Sequence, residues 1–287
     1  MAALSSVRPR PSSWAGALLI TGLLAGGCSA AGPASPPGGA EKATESRSTA
    51  AERPRLPAGT HRLTVRGQPS LLLVPERSNG RLVVYAHGAG QTVDQLLAVG
   101  DRGRSDLVAG LVEAGYTVAA SDAHGDAWGN DISVADYQAL VALAREETAT
   151  STVFLIGESM GGLPAARLTA PGVLDDVRAL AGVYPVCDVS SMLTAFGPSI
   201  QAAGGSAPQA LLDELSPVDL DGSVPLIAWA SDQDTLVAKV RNAAVCAQQV
   251  REGGGTAVLV DTIGEHGDAS NFRLDQIQAF FDAATED

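Results

Sequence analysis

From His61 onward, short runs of β-branched and leucine residues alternate with longer, alanine-rich amphipathic stretches, and this alternation constrains the fold more than any other feature of the chain. Strands separated by enough residues for a crossover helix can pair in parallel, and a parallel sheet must be covered by helices on both faces. Strands are expected at 61–66, 70–74, 81–86, 116–121, 152–157, 178–184, 224–230 and 256–261. The first two lie too close together for a crossover, so they should form an antiparallel start. Helices are expected near 93–114, 132–148, 160–169, 236–252 and 271–284. The segment from Val186 to Ser223 breaks the rhythm with Gly, Pro, Ser and two short leucine-containing pieces. It is either a small helical cap over the carboxyl ends of the strands or a long crossover with one helix. The expected architecture is one α/β domain, a mostly parallel eight-stranded sheet with helices on both faces and room for that cap.

The 287 residues do not all belong to the domain. Arg8 and Arg10 precede the apolar run WAGALLITGLL at 14–24, which is short for a membrane span and has the form of a signal peptide, here residues 1–27. The following LAGGCSA resembles a bacterial lipobox, which implies lipidation of Cys28 and a membrane anchor through it; relative to Leu-Ala-Gly-Cys, Gly27 is an extra small residue. An ordinary secreted protein cleaved nearby is the alternative, and both place the chain outside the cytoplasm. Residues 28–57 are rich in Ala, Ser, Pro, Gly and Glu and cannot bury a core, so they read as a flexible linker to a domain at 58–287. A formal net charge of −13 argues against nucleic acid as a partner. Cys187 and Cys246 could be bridged in an oxidising compartment or remain two buried thiols; sequence leaves that open.

Residues 154–162 read FLIGESMGG. An apolar strand runs into a helix through G-x-S-x-G, and glycines at 157 and 161 remove side chains where strand and helix crowd, so Ser159 can occupy a tight turn with its hydroxyl presented. GESMGG resembles the nucleophile elbow of the α/β-hydrolase superfamily. That resemblance implies a serine nucleophile, an acid and a histidine base in that chain order. Of the four histidines, His61, His87 and His124 precede Ser159, which leaves His266 as the base. Asp232 and Asp234 both follow the apolar run VPLIAWAS; the D-T-L-V that begins at Asp234 resembles the family pattern better and makes Asp234 the expected acid.

HGAG at 87–90 resembles the family's first oxyanion loop, implying that the Ala89 N–H and the Met160 N–H stabilise the oxyanion. His87, Gly88 and Trp128 are the expected substrate-binding residues, with loop packing as the competing role for His87, Trp128 and His124. Histidines and carboxylates do not stand at metal-ligand spacing, and serine hydrolysis requires no metal or other cofactor. The implied function is hydrolysis of a small-molecule carboxylic ester through an acyl-enzyme. A peptidase of the prolyl-oligopeptidase or aminopeptidase type, an envelope lipase or acyltransferase, and a non-catalytic binding protein on the same fold are the alternatives.

Overall fold

The computed structural model describes residues 55–98 and 103–285. The expected signal peptide, Cys28 and the linker up to residue 54 lie outside them. Eight strands form one sheet in the order β1-β2-β4-β3-β5-β6-β7-β8. They are β1 (Gly59–Val65), β2 (Gln68–Val74), β3 (Arg81–Ala86), β4 (Thr117–Ser121), β5 (Thr152–Glu158), β6 (Val177–Val183), β7 (Leu226–Ser231) and β8 (Ala257–Thr262). β1 and β2 pair antiparallel, as do β2 and β4, and every later pairing is parallel. The sheet and its mostly parallel sense are those expected from the sequence.

Alternation of side chains along the strands divides the core into two layers. Leu82, Val84 and Leu155 point to the layer that contains Tyr137, Leu140 and Leu163. Val83, Tyr85, Phe154 and Ile156 point to the other, with Leu107, Leu111, Ile277 and Phe281. Both faces are buried, so the central strands read as nearly continuous apolar runs, and each fully buried Leu or Phe contributes about 1.5–3 kcal/mol. The helices that supply these layers are α1 (Arg104–Glu113), α2 (Asp131–Thr148), α3 (Gly162–Leu168), α6 (Ala243–Glu252) and α7 (Leu274–Ala283). The long helix α2 starts where the Asn130 side chain accepts the Ser133 N–H at 3.1 Å, an N-cap that stabilises it by about 1 kcal/mol.

Two expectations change in detail. The stretch 93–114 is not one helix: Val93–Leu97 is a 3₁₀ turn and α1 begins after Gly103. The irregular segment after β6 holds two helices, α4 (Leu193–Gly204), which is kinked at Phe196 and contains Pro198, and α5 (Pro208–Glu214). They form the small cap: Met192, Ile200, Leu211 and Leu215 join the core, and Trp128 and Asn130 in the loop after β4 bond Ser199 Oγ and the Ala203 carbonyl. Among the described residues no helix is long and apolar enough to cross a membrane.

β3 lies between β4 and β5. The chain leaves β3 for β4 on one side by way of α1, and leaves β5 for β6 on the other side by way of α3, which packs on the opposite face. Connections from the carboxyl ends of β3 and β5 therefore part in opposite directions and open a crevice there, the usual ligand position in an open α/β sheet.

Cys187 and Cys246 form a disulfide with Cα atoms 5.9 Å apart, tying the segment after β6 to α6. The bridge closes a loop across 59 positions, which on chain-entropy grounds constrains the unfolded chain by about 4 kcal/mol at most. Reduction, or Cys246→Ala, should lower stability by about 2–4 kcal/mol in denaturant titrations. A midpoint that does not move with reductant would show that the bridge carries no such load.

Candidate functional site

The parallel register places Ala86 of β3 beside Gly157 of β5, so the segment after β3 and the segment after β5 emerge side by side. Ser159 sits in the turn after β5 with φ of +51°, a left-handed conformation that costs a non-glycine residue about 1–3 kcal/mol. Two glycines make the turn sterically feasible. A Cβ on Gly157 would lie 2.8 Å from the Gly161 carbonyl oxygen, and one on Gly161 would collide with the Ala86 carbonyl oxygen. The chain then enters the 3₁₀ turn Ser159–Gly161 and α3.

The Ser159 hydroxyl lies 3.0 Å from His266 Nε2. His266 Nδ1 lies 2.8 Å from Asp234 Oδ2. Residues 107 positions apart in the chain thus meet because β7 and β8 deliver their carboxyl-end loops next to that of β5. The two loops are also joined directly, with the Gly264 N–H donating to Gln233 Oε1 at 2.6 Å. Burial would raise the Asp234 carboxyl, but the His266 hydrogen bond and the backbone N–H groups of Val237 and Leu236 outweigh it and hold the group below the usual Asp value. Its oxygens are therefore divided, Oδ1 held by the backbone and Oδ2 by the imidazole. Asp232, the other sequence candidate, points to solvent and pairs with Lys239 Nζ at 2.8 Å. Tyr184 packs edge-on against His266, ring centroids 4.4 Å apart.

Gly88 approaches the serine closely, since a Cβ built on it would lie 3.3 Å from Ser159 Cβ. Its own N–H is occupied by Gln91 Oε1 at 3.0 Å. Ala89 follows and is half-buried; Met160 is the second residue of the 3₁₀ turn Ser159–Gly161, where the first N–H groups of a helix lack intrahelical acceptors. His87 and Trp128 are placed differently from the pocket-lining positions expected. Both are 1% exposed. The His87 ring nitrogens face the carbonyls of Gly88 at 2.8 Å and Asp122 at 3.1 Å, which organises the loop. Trp128 packs against Phe196, the rings tilted with centroids 5.2 Å apart, and donates its indole N–H to Ser199 Oγ at 2.8 Å, so it holds the cap down. His124 sits further out, with Nδ1 2.6 Å from the buried Asp136 carboxylate. Among the described residues no group of three His, Cys, Asp or Glu is arranged to hold a metal ion.

Sequence reasoning missed the residue next to the nucleophile. Glu158 is 1% exposed. Arg104 grips it with Nε to Oε2 at 2.6 Å and Nη2 to Oε1 at 2.5 Å. Tyr85 donates to Oε2 at 2.6 Å, Tyr184 to Oε1 at 2.7 Å and Gln91 Nε2 to Oε1 at 2.9 Å. Burial alone would raise the Glu158 carboxyl; the Arg104 guanidinium, with the Gln91 and Tyr85 hydrogen bonds, overcomes this and holds it below the usual Glu range. Burial and the neighbouring carboxylate push the Tyr85 phenol well above its ordinary value. The signal available in the sequence was a charged residue closing an otherwise apolar strand, but nothing local named its partners.

With this geometry in view, comparison with known proteins gives a consistent result. Residues 78–260 match the family described as serine aminopeptidase, S33. No curated protein sequence matches the chain. The fold resembles a carboxylesterase from Lactobacillus plantarum WCFS1, with TM-score 0.58 and 15% identity over 80% of this chain and 98% of the other. It also resembles a thermostable carboxyl esterase from Bacillus coagulans, with TM-score 0.55 and 15% identity over 80% and 98%. The acylaminoacyl peptidase of Pyrococcus horikoshii gives TM-score 0.59 and 12% identity over 79% of this chain and 41% of that larger one. At such identities the likeness concerns the fold.

The buried Glu158–Arg104 pair has a pH signature. Because the folded carboxyl is depressed, its stabilisation is complete above the unfolded value of about 4.3 and is lost as pH falls through the folded value. Glu158→Gln should destabilise the protein by about 3–5 kcal/mol near neutral pH, since it removes one charge of a buried, hydrogen-bonded ion pair. The variant should also lose less further stability than wild type on acidification below about pH 4.3. Denaturation at neutral and acid pH checks both, and equal acid losses in the two proteins would contradict the assignment.

Proposed function

The chain belongs to the serine aminopeptidase S33 family of α/β-hydrolases, and from that premise we propose that it hydrolyses carboxylic esters through an acyl-enzyme on Ser159. The observation that carries the reading is the unbroken relay of Ser159 Oγ to His266 Nε2 at 3.0 Å and His266 Nδ1 to Asp234 at 2.8 Å. Ser159 Oγ attacks the acyl carbonyl carbon while His266 Nε2 takes its proton. Asp234 accepts the Nδ1–H bond and stabilises the imidazolium. The carbonyl oxygen, now negative, receives the N–H groups of Ala89 and Met160. Collapse of the tetrahedral intermediate breaks the bond to the alcohol, which leaves with the proton from His266. Water then attacks the acyl-enzyme by the same route, giving its proton to His266 and releasing Ser159 with the acid product.

Peptide cleavage is the second reading, favoured by the family description. An aminopeptidase needs a carboxylate that holds the substrate amine; Asp126, in the segment after β4, accepts the Gly90 N–H at 2.6 Å, and Asp188, after β6, takes Arg241 at 2.7 Å and the Ser190 hydroxyl at 2.5 Å, so both already serve the fold. Esters also have better leaving groups than amides, which supports the first reading. The disulfide suits an oxidising compartment and so supports an extracytoplasmic location, lipid-anchored through Cys28 or secreted.

Fluorophosphonate labelling of wild type beside Ser159→Ala, followed by p-nitrophenyl esters and peptide anilides, tests the proposal. Ser159→Ala should abolish labelling and lower ester turnover by about 10⁴-fold or more. Faster turnover of the anilides would favour the peptidase. Asp234→Asn should cost about 10³–10⁴-fold in kcat, because it disturbs the imidazole tautomer, whereas Asp232→Asn stays within about twofold. Reversal of that ranking would move the acid to Asp232.

A further inference from the structure

We infer that Gln91 is a positioning residue for the oxyanion loop, oriented by the buried Glu158–Arg104 pair. The inference rests on the ester hydrolase reading above and deepens it. Its starting point is the hydrogen-bond inventory of two side chains. An ionised carboxylate can only accept, while a primary amide presents a donating NH₂ at one end and an accepting oxygen at the other. Arg104, bonded to both oxygens of Glu158 at 2.6 and 2.5 Å, holds that carboxylate in its charged form. The end of Gln91 that faces Glu158 must therefore be the NH₂, and Nε2 lies 2.9 Å from Oε1.

Once Nε2 is committed, Oε1 faces the other way and accepts the Gly88 N–H at 3.0 Å. The Gln91 backbone N–H returns to the Gly88 carbonyl at 3.2 Å, so Gly88 is held through both of its backbone groups. This has a directional consequence. With the Gly88 N–H turned into the Gln91 amide, the next N–H, that of Ala89, is the one the loop can offer to the crevice. Other bonds anchor the loop to the segment after β4: Gly90 N–H to Asp126 Oδ1 at 2.6 Å and Val93 N–H to Asp122 Oδ1 at 2.7 Å. Gln91 adds a side-chain link to Glu158, the last residue of β5. Glu158 is the residue before the nucleophile, so an oxyanion donor and the attacking oxygen are referred to the same rigid element, the geometry that transition-state stabilisation demands.

If Gln91 only filled space, its loss would slow all substrates alike. If it positions an oxyanion donor, its loss should matter most for substrates that use that donor well. An ester and its thionoester, in which sulfur replaces the carbonyl oxygen, separate the two cases, because sulfur is a weak hydrogen-bond acceptor. The experiment compares full-length wild type, Ser159→Ala, Gln91→Met and Gln91→Ala on a p-nitrophenyl ester and its thionoester, with thermal melting of each protein. Gln91→Met keeps the length and volume without the amide, and Gln91→Ala leaves room for water should the first fold poorly. Both Gln91 variants should lower kcat for the ester by about tenfold or more, with KM within about twofold, since removal of a whole oxyanion donor costs about 10²–10³-fold. The ester-to-thionoester rate ratio should shrink in both variants. Unchanged kcat, or an equal fall on both substrates that preserves the wild-type ratio, would overturn the positioning role while leaving the ester hydrolase intact. Absence of Ser159-dependent turnover in wild type would overturn both.

Discussion

The pairing of β3 with β5 is the constraint on which the site depends. Ala86 opposite Gly157 in a parallel register sets the loop at 87–90 against the turn at 158–161 with only backbone between them. That closeness explains the glycines, because a side chain at 161 would enter the Ala86 carbonyl. The strand order, with β3 between β4 and β5, opens the crevice there, because connections leave the neighbouring strands β3 and β5 in opposite directions. A slip of one residue in this pairing would turn every β5 side chain to the other layer and empty both cores of their match.

A buried carboxylate lies at that same junction. A carboxylate buried beside the nucleophile is tolerable only with its charge matched and its lone pairs filled, and Glu158 meets both conditions through Arg104, Tyr85, Tyr184 and Gln91. These partners come from β3, the loop after it, α1 and the end of β6, so one side chain binds four parts of the chain together. Tyr184 shows what such fastening permits. It holds φ at +36°, a strained value for a tyrosine, while its hydroxyl reaches Glu158 and its ring supports His266. Strain at Ser159 and at Tyr184 is thus maintained by the same buried network, and the serine, the loop facing it and the imidazole share a common foundation.

The acid and base arrive by a different route. β7 and β8 extend the sheet at the edge away from β3, and their loops fold back over β5 with the Gln233–Gly264 bond between them. Asp234 is set by its own backbone turn, two N–H groups on one oxygen, before it meets His266. That local clamp distinguishes it from Asp232 two positions earlier, which turns outward to Lys239. The cap is seated by contacts of another kind, an indole hydrogen bond and apolar packing, which allows a Gly- and Pro-rich segment without strong periodicity to be ordered on a finished sheet.

Much of this was legible in the residues. Apolar and β-branched runs marked all eight strands, most plainly the central ones, because a strand buried on both faces must be apolar along its length. The elbow was legible because backbone crowding leaves glycine and a small nucleophile as the residues that fit, and His266 because it was the histidine in the right chain order. What the sequence could not contain was the identity of distant partners: that Cys187 meets Cys246, that Glu158 has Arg104, that Trp128 bonds Ser199 in the cap. Local pattern is written by what each segment must bury, and a sequence states that directly. Which polar groups satisfy one another is settled only when strands from distant parts of the chain take their order, because a hydrogen bond depends on ångström-scale placement that no spacing along the chain encodes.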